Sequence, residues 1–332
     1  MRPERPKPVV VVDRRLIALV ASVVCACSSP ASTPTQASPA PATTLASTFT
    51  GTLVATNGNQ PLTGISVSSG ATTDAAGHFT LPAGATTATF SGSSIVTRVV
   101  NLQPPPHAFT ADAIALTPNT GFDLNFFRAL VRDGYASPTF LRPLQRWTTS
   151  PNVYVRTIDE GGKAIDEVTL SVTASAINDV APLWTGGRFN IASVVRGTET
   201  REGVPGWITV KWGAASTAVC GIASVGNSGG FVELDRFTPN CQCNASDSTA
   251  LVRPSTVKHE MGHAFGFYHT GNQVDLMSGL GDARCNFDPT DREKYHAAIA
   301  YARPVGNVDP DTDPAGIGLL GVREPRPVIV KD

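Results

Sequence analysis

His259-Glu260-Met261-Gly262-His263-Ala264-Phe265-Gly266-Phe267-Tyr268-His269 has the form H-E-x-x-H-x-x-G-x-x-H, and it holds three of the chain's six histidines. On an α-helix, residues four apart share a face, about 6 Å apart along the axis. His259 and His263 can therefore turn two imidazoles toward one metal ion, with Glu260 beside them as general base. His269 lies too far past His263 to share that face. Gly266 supplies the way back, because glycine takes positive φ without strain, ends the helix and reverses the chain. Three imidazole ligands leave one position of a zinc ion open for water. Zinc lowers the pKa of that water from about 15.7 to about 7, so Glu260 can take its proton at neutral pH. Pro254 opens the helix, and Ser255 or Thr256 is placed to act as N-cap. A bare H-E-x-x-H also fits a metal-free helix with surface and core histidines. The third histidine with its glycine argues against that.

The pattern resembles the metzincin metallopeptidases, most closely their matrixin-like bacterial branch, in which the same motif is followed by a Met-turn. Asp275-Leu276-Met277-Ser278 follows here at suitable spacing. The resemblance implies that His259, His263 and His269 are zinc ligands, that Glu260 is the catalytic base, and that Met277 is an apolar floor under the metal. Taken alone, a methionine there would be a gap-filling core residue. Gly279 stands where some metzincins carry a metal-reaching tyrosine, which disfavours the astacin-like and serralysin-like branches. No cysteine-switch prosegment is evident, nor an acidic run like the structural calcium sites of animal matrixins, so the means of latency is open. The resemblance is specific over Val252–Gly279 and architectural elsewhere.

The 332 residues suffice for two modest domains. A formal net charge of −1 gives no support to nucleic-acid binding or to a polybasic membrane surface. Arg14 and Arg15 precede an apolar run from Leu16 to Val24, too short for a membrane span, which reads as an export signal. Val24-Cys25-Ala26-Cys27 resembles a bacterial lipobox, with Cys27 as the lipidated residue. Ordinary cleavage nearby and a retained anchor are the alternatives. Lipidation of Cys27 would leave Cys220, Cys241, Cys243 and Cys285, an even number in an exported chain and hence two disulfides. Cys241 and Cys243 are too close to pair with each other. Each is expected to reach one of Cys220 and Cys285, with the assignment open.

The expected fold class is α+β: a metzincin-like catalytic domain, a twisted mixed sheet plus helices, preceded by a small all-β sandwich. Residues 1–27 read as signal peptide and 28–47 as a Ser/Pro/Ala/Thr linker unable to bury a core. Residues 48–118 carry short apolar runs punctuated by Asn57-Gly58 and Asp74-Ala75-Ala76-Gly77, the pattern of a β-sandwich. Gln60–Ile65 together with Thr73–Phe79 resembles carboxypeptidase-regulatory, transthyretin-like domains, which serve as spacers or binding modules. Strands are expected at 51–54, 64–67, 78–81, 88–90 and 95–97. Residues 119–304 are assigned to the peptidase domain, with helices over 123–133 and 164–180. The second helix is expected to bury Ile165, Val168, Val172 and Ile177. Strands are expected near 153–155, 189–195, 207–212 and 231–234. Residues 217–224 are read as an open edge strand able to pair with an extended peptide. Thr290-Asp291-Arg292-Glu293 fits a capping box opening a helix that stops before Pro304, and His296 within it reads as structural. Residues 305–332 read as a tail. Its Asp309, Asp311 and Asp313 are of the type that can hold calcium but lack the full loop pattern, and a solvated turn is expected.

These readings imply an exported zinc metalloendopeptidase: one catalytic Zn2+, a protein or peptide substrate, a lipid anchor in the cell envelope, no nucleic acid, and a monomer. A surface adhesion lipoprotein with a structural metal, or an amidase acting on cell-wall peptides, are the competing classes.

Overall fold

The computed structural model describes residues 48–102, 108–117, 119–213, 219–226, 228–242, 251–280, 285–315 and 328–331. The signal segment with Cys27, the linker, His107 and Cys243 lie outside these.

Alternating apolar residues with turn formers between them give six short strands at the start. These are β1 (Phe49–Ala55), β2 (Ser66–Val67), β3 (His78–Leu81), β4 (Thr87–Ser91), β5 (Arg98–Asn101) and β6 (Ala108–Ala113). They form two three-stranded sheets, ordered β3-β1-β6 and β2-β4-β5. Phe49, Leu53, Ile65, Phe79, Leu81 and Phe90 meet in one apolar cluster. The strand expected at 95–97 begins instead at Arg98; Ile95 makes only an isolated bridge to Ala115.

The rest is built on a larger sheet. α1 (Leu124–Arg132) leads to β7 (Asn152–Arg156), α2 (Glu167–Trp184), β8 (Ser193–Gly197), β9 (Trp207–Gly213), β10 (Gly221–Val225), β11 (Gly230–Asp235), α3 (Pro254–Phe265), α4 (Asp291–Tyr301) and β12 (Val328–Lys331). The sheet order is β12-β10-β11-β9-β7-β8. β11, β9, β7 and β8 run parallel, whereas β10 is antiparallel to β11 and β12 is antiparallel to β10. β7, β9 and β11 are rich in buried Val, Ile and Trp, as expected of strands covered on both faces, whereas the edge strand β8 is not.

Three local expectations are corrected. The edge read as open at 217–224 is β10, and β12 lies along its outer side; Thr217 is outside the described residues. On α2 the inward stripe is Thr169, Thr173, Ala176, Ile177, Val180 and Trp184, while Val168 is exposed. Small Thr and Ala residues let α2 approach α3, and Thr169 Oγ1 accepts the Leu251 N–H at 2.9 Å. The N-cap of α3 is Arg253, with Pro254 in the first turn. Ser255 does not cap; its Oγ donates to Cys285 O at 3.2 Å.

The expected solvated turn at Asp309–Asp313 is a buried ionic joint. Asp311 takes Arg303 Nε at 2.7 Å and Nη2 at 2.8 Å, and both side chains are almost wholly buried. Asp313 pairs with Arg98 at 2.6 Å and Asp309 with Arg128 at 2.7 Å. Arg303 also reaches Asp112 on β6 and Thr56 just past β1, so this joint fastens the N-terminal sheets to the end of α4. Sequence spacing could not show this, because the three arginine partners come from three separate segments.

Candidate metal centre

α3 is held along its length by groups that satisfy its backbone carbonyls. Trp184 Nε1 donates to Lys258 O, Trp147 Nε1 to Ala264 O and Tyr301 Oη to Phe265 O. Gly266 closes the helix at φ 112°, and its N–H returns to Gly262 O and His263 O. A β-carbon at Gly266 would lie 2.0 Å from Gln145 O, so only glycine fits this turn. These bonds supply the donor partners that the carbonyls of a helix C-terminus lack on their own. They also fix where the chain re-emerges toward His269.

The turn brings His259, His263 and His269 together. Their Nε2 atoms form a triangle with sides of 3.2, 3.3 and 3.2 Å. His259 Nδ1 donates to Leu276 O at 2.5 Å and His263 Nδ1 donates to Phe267 O at 2.7 Å. A carbonyl only accepts, so the proton of each neutral ring sits on Nδ1 and the lone pair of Nε2 points into the triangle. Zn–N distances of about 2.0–2.1 Å at tetrahedral angles put ligand nitrogens about 3.3–3.4 Å apart. The observed triangle fits a zinc ion within about 0.2 Å. Among the described residues this is the one group of three or more His, Cys, Asp or Glu side chains arranged to hold a metal.

Glu260 is fully buried beside the cluster. Its carboxylate abuts Gly221, where a β-carbon would fall 2.0 Å from Glu260 Oε1. The first residue of β10 thus lies directly against the carboxylate. Gly262 plays the corresponding part below: a β-carbon there would be 2.5 Å from Met277 Sδ and 3.1 Å from the Trp184 ring. Met277 is therefore packed against the helix between His259 and His263, with no solvent exposure.

Glu293 of α4 holds the turn at Asp275–Ser278 in place. Its carboxylate accepts the N–H groups of Leu276 at 3.0 Å, Met277 at 2.8 Å and Thr290 at 2.7 Å. The capping box was legible in the sequence, but the grip on Leu276 and Met277 was not. Gly221 was also missed, although a glycine opening a strand often marks a close approach of another group. Asp275 receives Thr270 Oγ1 and Arg292 Nη2, each at 2.8 Å, which pins the other side of the turn. His296 does not join the cluster. It stacks among Phe122, Phe126 and Tyr295, with Nδ1 donating to Arg292 O and Nε2 accepting the Asp123 N–H.

Cys220 and Cys241 form a disulfide at the approach to β10. Cys285 is also disulfide-bonded. No helix among the described residues is long and apolar enough to cross a membrane.

A sheet with one antiparallel strand beside a three-histidine cluster and a buried glutamate describes a metallopeptidase-type centre. Residues 153–270 match the sequence model of the family described as Metallo-peptidase family M12B Reprolysin-like. That match supports a metallopeptidase with a catalytic zinc, and it ends one residue past His269. No curated protein matches the chain. Among solved structures, the crystal structure of metalloproteinase-II from Bacteroides fragilis is similar at 11% identity and a TM-score of 0.31, over 76% of this chain and 84% of that chain. Nothing below rests on that likeness.

Proposed function

We propose that the chain is an exported zinc-dependent endopeptidase of the metzincin class. The observation that carries this reading is the 3.2–3.3 Å triangle of Nε2 atoms with the Glu260 carboxylate and Gly221 against it. His259, His263 and His269 would hold the ion. Bound zinc would polarise the scissile carbonyl and bring the pKa of an attacking water to about 7. Glu260 takes the proton of that water and returns it to the leaving amine. Its burial excludes bulk water that would compete for the proton. Met277 packs under the ligand helix and, through Glu293, keeps His259 aimed by way of Leu276 O. With β12 displaced from its outer side, β10 would orient an extended substrate backbone by strand pairing, which favours peptides over other amides.

Gly279, two residues past Met277, supports the matrixin-like branch within the class, because no tyrosine is available there to reach the metal. Export is supported by the Cys220–Cys241 disulfide, since such bonds persist in oxidising compartments. The N-terminal strands would form a transthyretin-like spacer, with a lipid anchor at Cys27 beyond them.

The test is hydrolysis of casein and a peptide library by purified protein, with metal content measured in parallel. Cleavage should require about one zinc per chain, stop on chelation, and fall by about 10²–10⁴ in Glu260→Gln with zinc retained. Cleavage undiminished in Glu260→Gln removes the mechanism. A chain that stays metal-free in excess zinc removes the site.

A further inference from the structure

β10 would be the edge that receives substrate, yet it is paired on both sides. β12 lies along it antiparallel, with Ile222 opposite Lys331, Ala223 opposite Val330, Ser224 opposite Ile329 and Val225 opposite Val328. The direction is informative. Going from Val328 to Lys331, β12 advances from Val225 toward Ile222, and the next β10 residue is Gly221, which abuts the Glu260 carboxylate. At about 3.3 Å per residue, the end of β12 lies within a residue or two of the cluster. The segment is Val328-Ile329-Val330-Lys331, three β-branched residues and a lysine, a composition that pairs readily as an extended strand. Ile329, in the middle of β12, is more than half exposed.

An antiparallel strand on β10 that runs toward the general base occupies the place an extended peptide backbone would take. We propose that Val328–Lys331 is an intramolecular occupant of the peptide-binding edge, so that the chain is self-inhibited until β12 is displaced. This rests on the endopeptidase reading above. It answers the question of latency without any covalent switch: a strand carried on the same chain competes intramolecularly for the edge, and a longer or better-pairing substrate replaces it.

The test compares the full chain with one lacking residues 316–332 and with full-length Ile329→Pro/Val330→Pro, in which the prolines remove two strand N–H groups. Both variants should cleave a reporter peptide with KM lower by about tenfold and kcat little changed, the size that corresponds to β12 occupying the edge about 90% of the time. Hydrogen exchange should show faster exchange at 222–225 in both. A synthetic peptide spanning residues 325–332 should bind the shortened chain, compete with the reporter, and restore slow exchange at 222–225. Unchanged KM in both variants, or a peptide that neither binds nor protects β10, overturns the proposal. A properly folded proline variant with lower activity does so too, because β12 would then be a supporting strand. The peptide-binding and exchange arms do not need turnover. If no variant hydrolyses anything but the peptide still binds β10, the endopeptidase reading fails and the occupancy stands.

Discussion

The Asp309–Asp313 joint and the three-histidine cluster both gather ionisable groups, and they are built in opposite ways. In the Asp309–Asp313 joint each carboxylate faces a guanidinium: Asp311 faces Arg303, Asp313 faces Arg98 and Asp309 faces Arg128. In the His259–His263–His269 cluster, ring nitrogens converge to 3.2–3.3 Å, and two of the rings are fixed by carbonyls so that lone pairs point inward. Opposite charges neutralise one another in the first, and that cluster is complete. Lone pairs repel in the second, and a cation resolves the repulsion. The contrast separates a structural joint from a chemical site without appeal to the motif.

The comparison can be broken most directly at the ligands. His263→Ala, or removal of metal by a chelator, should abolish hydrolysis together with zinc stoichiometry, whereas a joint variant should leave both intact. Glu260→Gln should keep its zinc, and kcat/KM should fall by about 10²–10⁴, the usual contribution of a general base. Atomic absorption alongside kinetics distinguishes these two. Gly221→Ala forces the Glu260 carboxylate to move, because the added carbon would overlap it. A displacement of about 1 Å at a reacting group costs on the order of 10²-fold, so kcat should drop by about that factor with the metal retained. Normal turnover in Gly221→Ala would show that the contact has no bearing on catalysis.

The joint responds in stability instead. Asp311→Ala leaves the buried Arg303 guanidinium short of its main partner, and should lower unfolding free energy by about 3–5 kcal/mol in a urea titration. Loss of zinc rather than stability in that variant would mean that the two clusters are coupled.

The smallest effect concerns His296. Burial holds its pKa below the ordinary histidine value, and its Nε2 accepts an amide N–H that an imidazolium could not accept. The unfolded chain therefore binds this proton first. Stability from His296 is complete above the unfolded pKa of about 6.5 and is lost as pH falls through the lower folded value. The urea midpoint should decline below about pH 6.5, and less so in His296→Gln. Equal declines in the two proteins would place the acid sensitivity elsewhere.

The contrast also explains how much could be read beforehand. The helix, its glycine stop and the Met-turn are encoded within about twenty residues, and helical spacing alone puts His259 and His263 on one face. α1 and the capping box of α4 were legible for the same reason. The α2 stripe was legible in part: Ile165 and Ile177 are buried as expected, whereas Val168 is exposed and Thr169 and Thr173 are inside. Hydrophobicity alone does not mark the inner face where a threonine hydroxyl finds a partner, as Thr169 Oγ1 does in the Leu251 N–H. The Asp309–Asp313 run was misread because Arg98 and Arg128 are far away in sequence, and because nothing local shows that Arg303 is buried.

By itself, then, the amino-acid order determined which atoms can hold a metal and which carboxylate can serve as base, since those depend on residue type and on repeats of three to four positions. Tertiary structure alone decided that Gly221 meets Glu260, that Glu293 grips the Met-turn amides, and that β12 lies on β10. Each of these joins segments separated by many residues, and such pairings are selected by the packing of the whole sheet and its helices, which no local pattern encodes.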